Sequence, residues 1–546
     1  MAAGSATTAV GDPPIPDPGA LAPLGSDVQH LHFRYGPLHI PAGQNLILAG
    51  PVTIEKPAYD GYVIAMKPNL VGPDGVPPGT DVVHLHHGVF LNLSRSDSTA
   101  RVPERFSATG EEKTTLQLPY PYGYFVRGSD VWALNYMIHN QTPQEQTVWL
   151  TYDVDYVPAS SALGRQMKPA RPIWMDVQDG KAYPVFDVHR GSGANGAYTY
   201  PEDARPYPYG HGAPLNEWTA PRDGTLIGAV GHVHPGGLYD DLDVIRAGAS
   251  PRLSTVVCRA SKRRRARRRH HAARSHAARR RRHRRAAARR TCSRRATGII
   301  AGHEPGSVRL FRSSAHYFDP AGPISWDLAM LRTPNDWRVT LKKGDRLAIS
   351  AAYDTTRASW YESMGIMVAY MADDRTGADP YTTPVDQNGF VTHGHLAEND
   401  NHGGLGLPGA VNPATAPDGR TLANGVAISA FNYLPGSFGL PGAAGLPPVI
   451  QQGQQLRFGN FDAAAQIFHT ITACRLPCNR STGLDYPLAN GPIDFDSGDL
   501  GSGPRGYTAA AQREDWSTPA NLPPGTYTYF CRIHPFMRGS FRVVVR

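Results

Sequence analysis

Proline and glycine interrupt the apolar runs of this chain before any of them reaches the length of a long helix. The 546 residues include 57 Gly and 49 Pro, without a collagen-like period. Between these breaks lie short runs rich in β-branched and aromatic residues, such as YVIAM (62–66), VVHLHHGVFLNL (82–93) and TVWLTYDVDYV (147–157), separated by turn signals such as PDG and PPG. Residues of this kind suit a pleated, half-buried surface, so the pattern predicts strands joined by turns. No apolar run approaches the roughly 18 residues that would suggest a membrane-spanning helix, and no membrane span is expected. The length exceeds what one hydrophobic core organises.

Composition along the chain predicts three β-sandwiches. Residues 1–27 read as a disordered leader, 28–160 as a first sandwich and 161–375 as a second one, interrupted by an Arg-rich insertion over 259–296. Residues 376–424 read as a Gly/Pro/Asp/Asn-rich linker, and 425–546 as a third sandwich. The formal charge of +9 belongs to the insertion alone: 19 Lys and Arg and no acid lie between Arg259 and Arg295, and over the rest of the chain acids outnumber bases. Without aromatic residues among its bases, the insertion reads as a solvated surface segment, and nucleic-acid binding is not expected. His393, His395 and His402 fall in the linker and read as solvated loop residues.

The third block ends in TYTYFCRIHPFMRGSFRVVV. A strand leads to Cys531, His534 and Met537 follow at three-residue steps, and a last strand closes the sheet. Upstream, His469 lies on another predicted strand. A thiolate and two imidazoles form the soft, trigonal field that suits copper, with a weak axial thioether tuning its potential. The CRIHPFMRG segment resembles the ligand loop of the plastocyanin/amicyanin-like cupredoxins. That resemblance implies a Greek-key β-sandwich holding one type 1 (blue) copper through His469, Cys531, His534 and Met537 and carrying single electrons. One departure is Thr470, which stands where the amicyanin loop is braced by an Asn. Multicopper oxidases flank the corresponding Cys with two histidines; here Phe530 and Arg532 stand there, so that chemistry is not expected.

Histidines also gather upstream: His84, His86 and His87 in one run, His139 in a second, His232 and His234 in a third. Alternate strand residues share a face, so His232 and His234 point the same way; His84 and His86 do likewise, with His87 opposite unless the strand bulges. Farther on, a Gly-Asp-x-Leu segment, an Asp-Thr turn and a Glu-x-Met segment (Glu362, Met364) follow in order. The order of these motifs resembles the copper type II ascorbate-dependent monooxygenases, the peptidylglycine α-hydroxylating and dopamine β-monooxygenase family. The resemblance implies two jelly-roll-like sandwiches in tandem, a dioxygen-site copper on His232, His234 and Met364, and an electron-transfer copper on His86, His87 and His139. Departures are the absence of any Cys before Cys258 and Gly88 in place of a Met after the His pair.

Together these readings predict an all-β copper protein: two type 2 coppers in a dioxygen-using, C–H-hydroxylating monooxygenase core, with a fused type 1 electron-transfer domain. The alternative is a non-enzymatic blue-copper electron carrier, or a copper-holding protein, with degenerate upstream domains. Implied partners are a redox protein or small-molecule reductant and an organic substrate. The N-terminus lacks a signal peptide's charged start and apolar core. Copper, and the chance of a Cys474–Cys478 pairing, point to an extracytoplasmic or secreted protein.

Overall fold

The computed structural model describes residues 25–43, 49–80, 82–177, 184–204, 216–249, 298–318, 326, 328–357, 359–391, 412–423, 425–476, 493–502, 512–534 and 536–545. The Arg-rich insertion, His393, His395, His402, Cys258, Cys292, Cys478 and nearly all of the leader lie outside them. Among the described residues there is no α-helix, only strands and short 3-10 turns, so the chain is all-β. None of its helical turns is long and apolar enough to cross a membrane.

In the first block a four-stranded sheet, in the order Ala49–Ile54, Trp132–Asn140, Val83–Ser96, Pro103–Thr109, faces strands that include Gln29–Ile40, Gln146–Pro158 and Gly61–Val71. Between them the alternating apolar residues meet: Phe90, Phe106, Tyr124, Trp132, Leu134 and Val154 are buried in one core. The second block builds its own core from Leu242, Phe311, Trp337, Ile349, Tyr353 and Met367.

One strand joins the two. Lys168–Asp176 runs parallel to Tyr122–Val126 through its first residues and antiparallel to Gly365–Ala372 through its last ones. A single 16-stranded sheet therefore passes through both blocks. Trp174, Ile366, Val368 and Tyr370, from the second block, are buried in the first block's core. The junction is therefore a packed interior, and apolar burial at about 25 cal/mol per Å² holds it closed.

The third block is a sandwich of four and five strands. Its core is Tyr433, Ile450, Phe458, Ile471, Tyr527, Tyr529 and Phe541. It docks on the second block by the end that carries the Cys loop. Ile493 and Phe530 enter the second block's core. Arg532 Nη2 donates to Ser359 O at 2.7 Å, and its guanidinium lies 5.2 Å from the centre of the Trp360 ring. Ser359 N donates in return to Asp496 Oδ2 at 3.1 Å. Toward the first block, a Cβ at Gly43 would run into the Phe431 ring, so the small residue there permits close approach.

Phe106 is fully buried, stacked on Tyr124 at 4.7 Å and 4.6 Å from the Trp132 ring. Phe106→Ala should cost about 3–5 kcal/mol of stability, the usual loss for emptying a buried aromatic position. Denaturant unfolding followed by near-UV circular dichroism measures this.

Candidate metal centres

The C-terminal site forms where the strand Gly525–Phe530 hands over to Arg538–Val544. Alternation buries Tyr527 and Tyr529 in the sandwich core, and the chain then turns through Cys531. Two backbone bonds tighten that turn: Met537 N to His534 O at 2.8 Å, and Cys531 N to Met537 O at 3.1 Å. His469 is fixed from the other side by paired backbone bonds with Leu500, 3.0 and 2.8 Å. Cys531 Sγ lies 3.8 Å from His469 Nδ1 and 3.7 Å from His534 Nδ1, and the two Nδ1 atoms are 3.2 Å apart. All three residues are fully buried, and Met537, at the end of the loop, is 2% exposed.

Neighbouring groups orient each ligand. Asp462 Oδ2 lies 3.0 Å from His469 Nε2, which leaves Nδ1 facing the sulfur. Such a carboxylate on the far nitrogen fixes the tautomer and raises ligand basicity. Thr470 takes over the bracing: its N–H donates to Cys531 Sγ at 3.3 Å, and its hydroxyl accepts the Arg532 N–H at 2.8 Å. His534 N gives the sulfur a second N–H at 3.3 Å. Phe431 meets both His469 and His534 edge to face. Burial opposes ionisation of the Cys531 thiol, but hydrogen bonds and charge from His469 and His534 outweigh it and hold the thiol well below its ordinary range. A thiolate between two imidazoles, with a buried methionine at the loop's end, fits copper.

Upstream, the strand Val83–Ser96 bulges between Leu85 and His87, where its register against Trp132–Asn140 shifts. Without the bulge His87 would point away from His84; the extra residue, His86, restores it to the same side. His84 lies directly opposite His139, and their rings are 4.7 Å apart. His86 is 4.6 Å from the His139 ring, 4.1 Å from the His234 ring, and 3.3 Å from His87 between Nδ1 atoms. The His232 and His234 rings are 5.1 Å apart. The six histidines thus form one buried cluster spanning both blocks, and the two expected sets touch at His86 and His234. Burial, reinforced by the other histidines, keeps His86, His139 and His234 well below the usual imidazole range and brings His87 to about 3. The neutral imidazole is the metal-binding form. The Nε2 atoms of His139, His232 and His234 are buried without a hydrogen-bond partner among the described residues, which fits a role as metal ligands.

Tyr353 ties the second expected set together: its hydroxyl accepts N–H bonds from His234 and Met364 at 3.0 Å each and donates to Met364 O at 2.6 Å. His232 Nδ1 lies 2.9 Å from Glu112 Oε1, and His234 Nδ1 lies 2.5 Å from Glu362 O. Glu112 went unread in the sequence because it belongs to GEEKTT, a charged run that looks like a surface loop; yet Glu112 is only 2% exposed. Trp326, stacked on His84 at 4.3 Å, carried no sequence signal at all.

The cluster and the Cys loop face one another. A cavity of about 90 Å³ is lined by His84, His86, His139 and His234 on one side and by Asp499, Arg532 and Ile533 of the third block on the other. His534, next to Ile533, has a buried Nε2 without a hydrogen-bond partner among the described residues.

No protein-family model and no curated protein matches the chain. Among solved structures it is similar to a purple cupredoxin from Nitrosopumilus maritimus, with 20% identity over 22% of this chain and 100% of that one, at a TM-score of 0.14. It is also similar to a copper-containing nitrite reductase from Thermus scotoductus SA-01, with 17% identity over 40% of this chain and 49% of that one, at a TM-score of 0.15. A third likeness is to the major capsid protein P2 of bacteriophage PM2: 9% identity, 64% of this chain, 100% of that one, TM-score 0.20.

Replacing Thr470 by Val would leave the part-buried Arg532 N–H without its acceptor. Thr470→Val should therefore cost about 0.5–1.5 kcal/mol. It should also shift the visible absorption of the copper-loaded protein, because the Cys531 loop loses its brace. Thermal unfolding and the absorption spectrum report the two effects separately.

Proposed function

We propose that the chain is a copper-binding redox protein in which the site of His469, Cys531, His534 and Met537 exchanges single electrons with copper held by the upstream histidines. The activity assigned to it is hydroxylation of an organic C–H bond by dioxygen. One oxygen atom enters the C–H bond and the other leaves as water, with two electrons and two protons drawn from a redox partner or small-molecule reductant. The observation that carries this reading is the small cavity on which the histidine cluster and the Cys531 loop both open.

Copper bound at these positions supplies one-electron transfer and dioxygen chemistry. His232, His234 and Met364 are the proposed dioxygen-site ligands, with their backbones held by Tyr353 and, at His232, by Asp240 Oδ2 at 3.1 Å. His86, His87 and His139 are the proposed electron-transfer ligands. The His86–His234 contact supports a direct route between the two sets, and the cavity that His139 shares with Arg532 and Ile533 supports one from the third block. A cavity of about 90 Å³ has room for dioxygen or a few waters but not for an organic substrate. Cys474 is disulfide-bonded to a partner outside the described residues, which suits an extracytoplasmic setting.

One observation favours the second reading, an electron carrier with degenerate upstream blocks. Among the described residues, the group of three or more His, Cys, Asp or Glu with donor atoms all within 4.8 Å of one another is His469, Cys531 and His534. The upstream rings pack closely, but no three of their donor atoms come that near one another, so a metal would have to reorient them.

Metal analysis with optical and EPR spectra separates the two. The hydroxylase should hold three coppers per chain, two of them without blue colour, whereas a single blue copper would leave the carrier reading standing. Met364→Ala should abolish dioxygen-dependent turnover and keep the blue absorption. His139→Ala should keep the colour too, but slow reoxidation of the reduced blue site by at least tenfold.

A further inference from the structure

A second and larger cavity, of about 390 Å³, reaches the histidine cluster at His87 and His232, with Met364 also in its lining. It lies between the sheet of the first block and the strands Lys168–Asp176 and Gly365–Ala372. Strand alternation supplies its wall: once the bulge has turned His87 to this side, Val89 and Leu91 follow on the same face. Ala108, Trp174 and Ile366 complete an apolar lining.

The charged groups of the cavity wall are already engaged. Arg105 spends its guanidinium on two carboxylates: Nε and Nη2 donate to Asp97 at 2.9 and 3.2 Å, and Nη1 donates to Asp176 at 2.9 Å. Its planar face lies 4.9 Å from the centre of the Trp174 ring. Trp174 Nε1 donates to the same Asp176 oxygen at 2.7 Å. Asn135 hydrogen-bonds His87. The lining thus carries one guanidinium and one carboxylate, Arg105 and Asp176, already paired with each other, so neither an anion nor an ammonium group finds there a partner to replace its water.

We infer that this cavity binds the organic substrate, and that the substrate is an uncharged, largely apolar molecule whose C–H bond is presented to His87, His232 and Met364. An apolar protein cavity of about 150 Å³ takes up benzene, so this one suits a molecule of roughly two to three rings. The inference rests on the hydroxylase reading for the chemistry that the bound molecule undergoes, but the binding itself is the work of the apolar walls.

Equilibrium dialysis of the full chain tests it, using biphenyl, biphenyl-4-carboxylate and biphenyl-4-methylammonium, with copper bound and with copper removed. Biphenyl should bind at least tenfold more tightly than either ion in both states. Binding of either ion as tightly as biphenyl, or no binding of biphenyl, overturns the inference. Val89→Trp, which fills the cavity, should weaken biphenyl binding at least tenfold while the blue absorption reports an intact third block; unchanged affinity in the folded variant would place the site elsewhere. If that variant does not fold, Leu91→Ala enlarges the cavity and should shift preference from biphenyl to terphenyl, and an unshifted preference counts against the site in the same way. Biphenyl binding without any dioxygen-dependent product would instead sink the hydroxylase reading and leave the cavity's ligand class in place.

Discussion

The strand Lys168–Asp176 is the constraint on which the upstream architecture depends. It pairs with Tyr122–Val126 on one edge and Gly365–Ala372 on the other, so neither upstream sandwich is complete without it. Tyr370 and Trp174 are accordingly buried in the first block's core, and Tyr370 donates its hydroxyl to Phe106 O at 2.7 Å. Two sandwiches joined by a linker would hold their histidines at a variable distance. Two sandwiches that share a strand and a core hold His86 of one against His234 of the other.

The third block is oriented by the same logic, through its Cys loop. Arg532, immediately after Cys531, reaches Ser359 and Trp360 on the strand that continues to Glu362 and Met364. In a freely diffusing carrier a ligand edge has to meet its partner through solvent. Here His534 is fully buried, and its neighbours Arg532 and Ile533 share a cavity with His139. The residue that replaces a flanking histidine thus acts as a docking strut, and the route toward the histidine cluster lies inside the protein.

The fold class was legible because strand alternation and Gly/Pro punctuation are local signals. The C-terminal site was legible because its three loop ligands lie within seven residues, where spacing alone limits the geometry, and Cys531, His534 and His469 do converge. The upstream histidines were legible as candidates but not as a cluster. Whether His87 joins His84 depends on one extra residue in the strand, and a bulge leaves the hydrophobic pattern nearly unchanged. Glu112 was hidden for the opposite reason: its neighbours are charged, and their burial is made possible by partners distant in sequence, such as His232, and by local pairing such as Glu111 with Lys113 at 2.7 Å.

By itself, then, the sequence determined an all-β chain, a Cys/His/His/Met donor set at its end and a supply of strand histidines before it. These are properties of residue type and short-range spacing, which the chain carries in any conformation. The tertiary structure alone decided that Thr470 braces the Cys loop and that the six upstream histidines meet as one group. It alone placed a largely apolar cavity against that group at His87 and His232, and the Cys loop against it across the cavity lined by His84 and His139. Those outcomes depend on register, on a shared strand and on domain docking, where residues far apart in the chain must be desolvated together; no local pattern encodes which of them will meet.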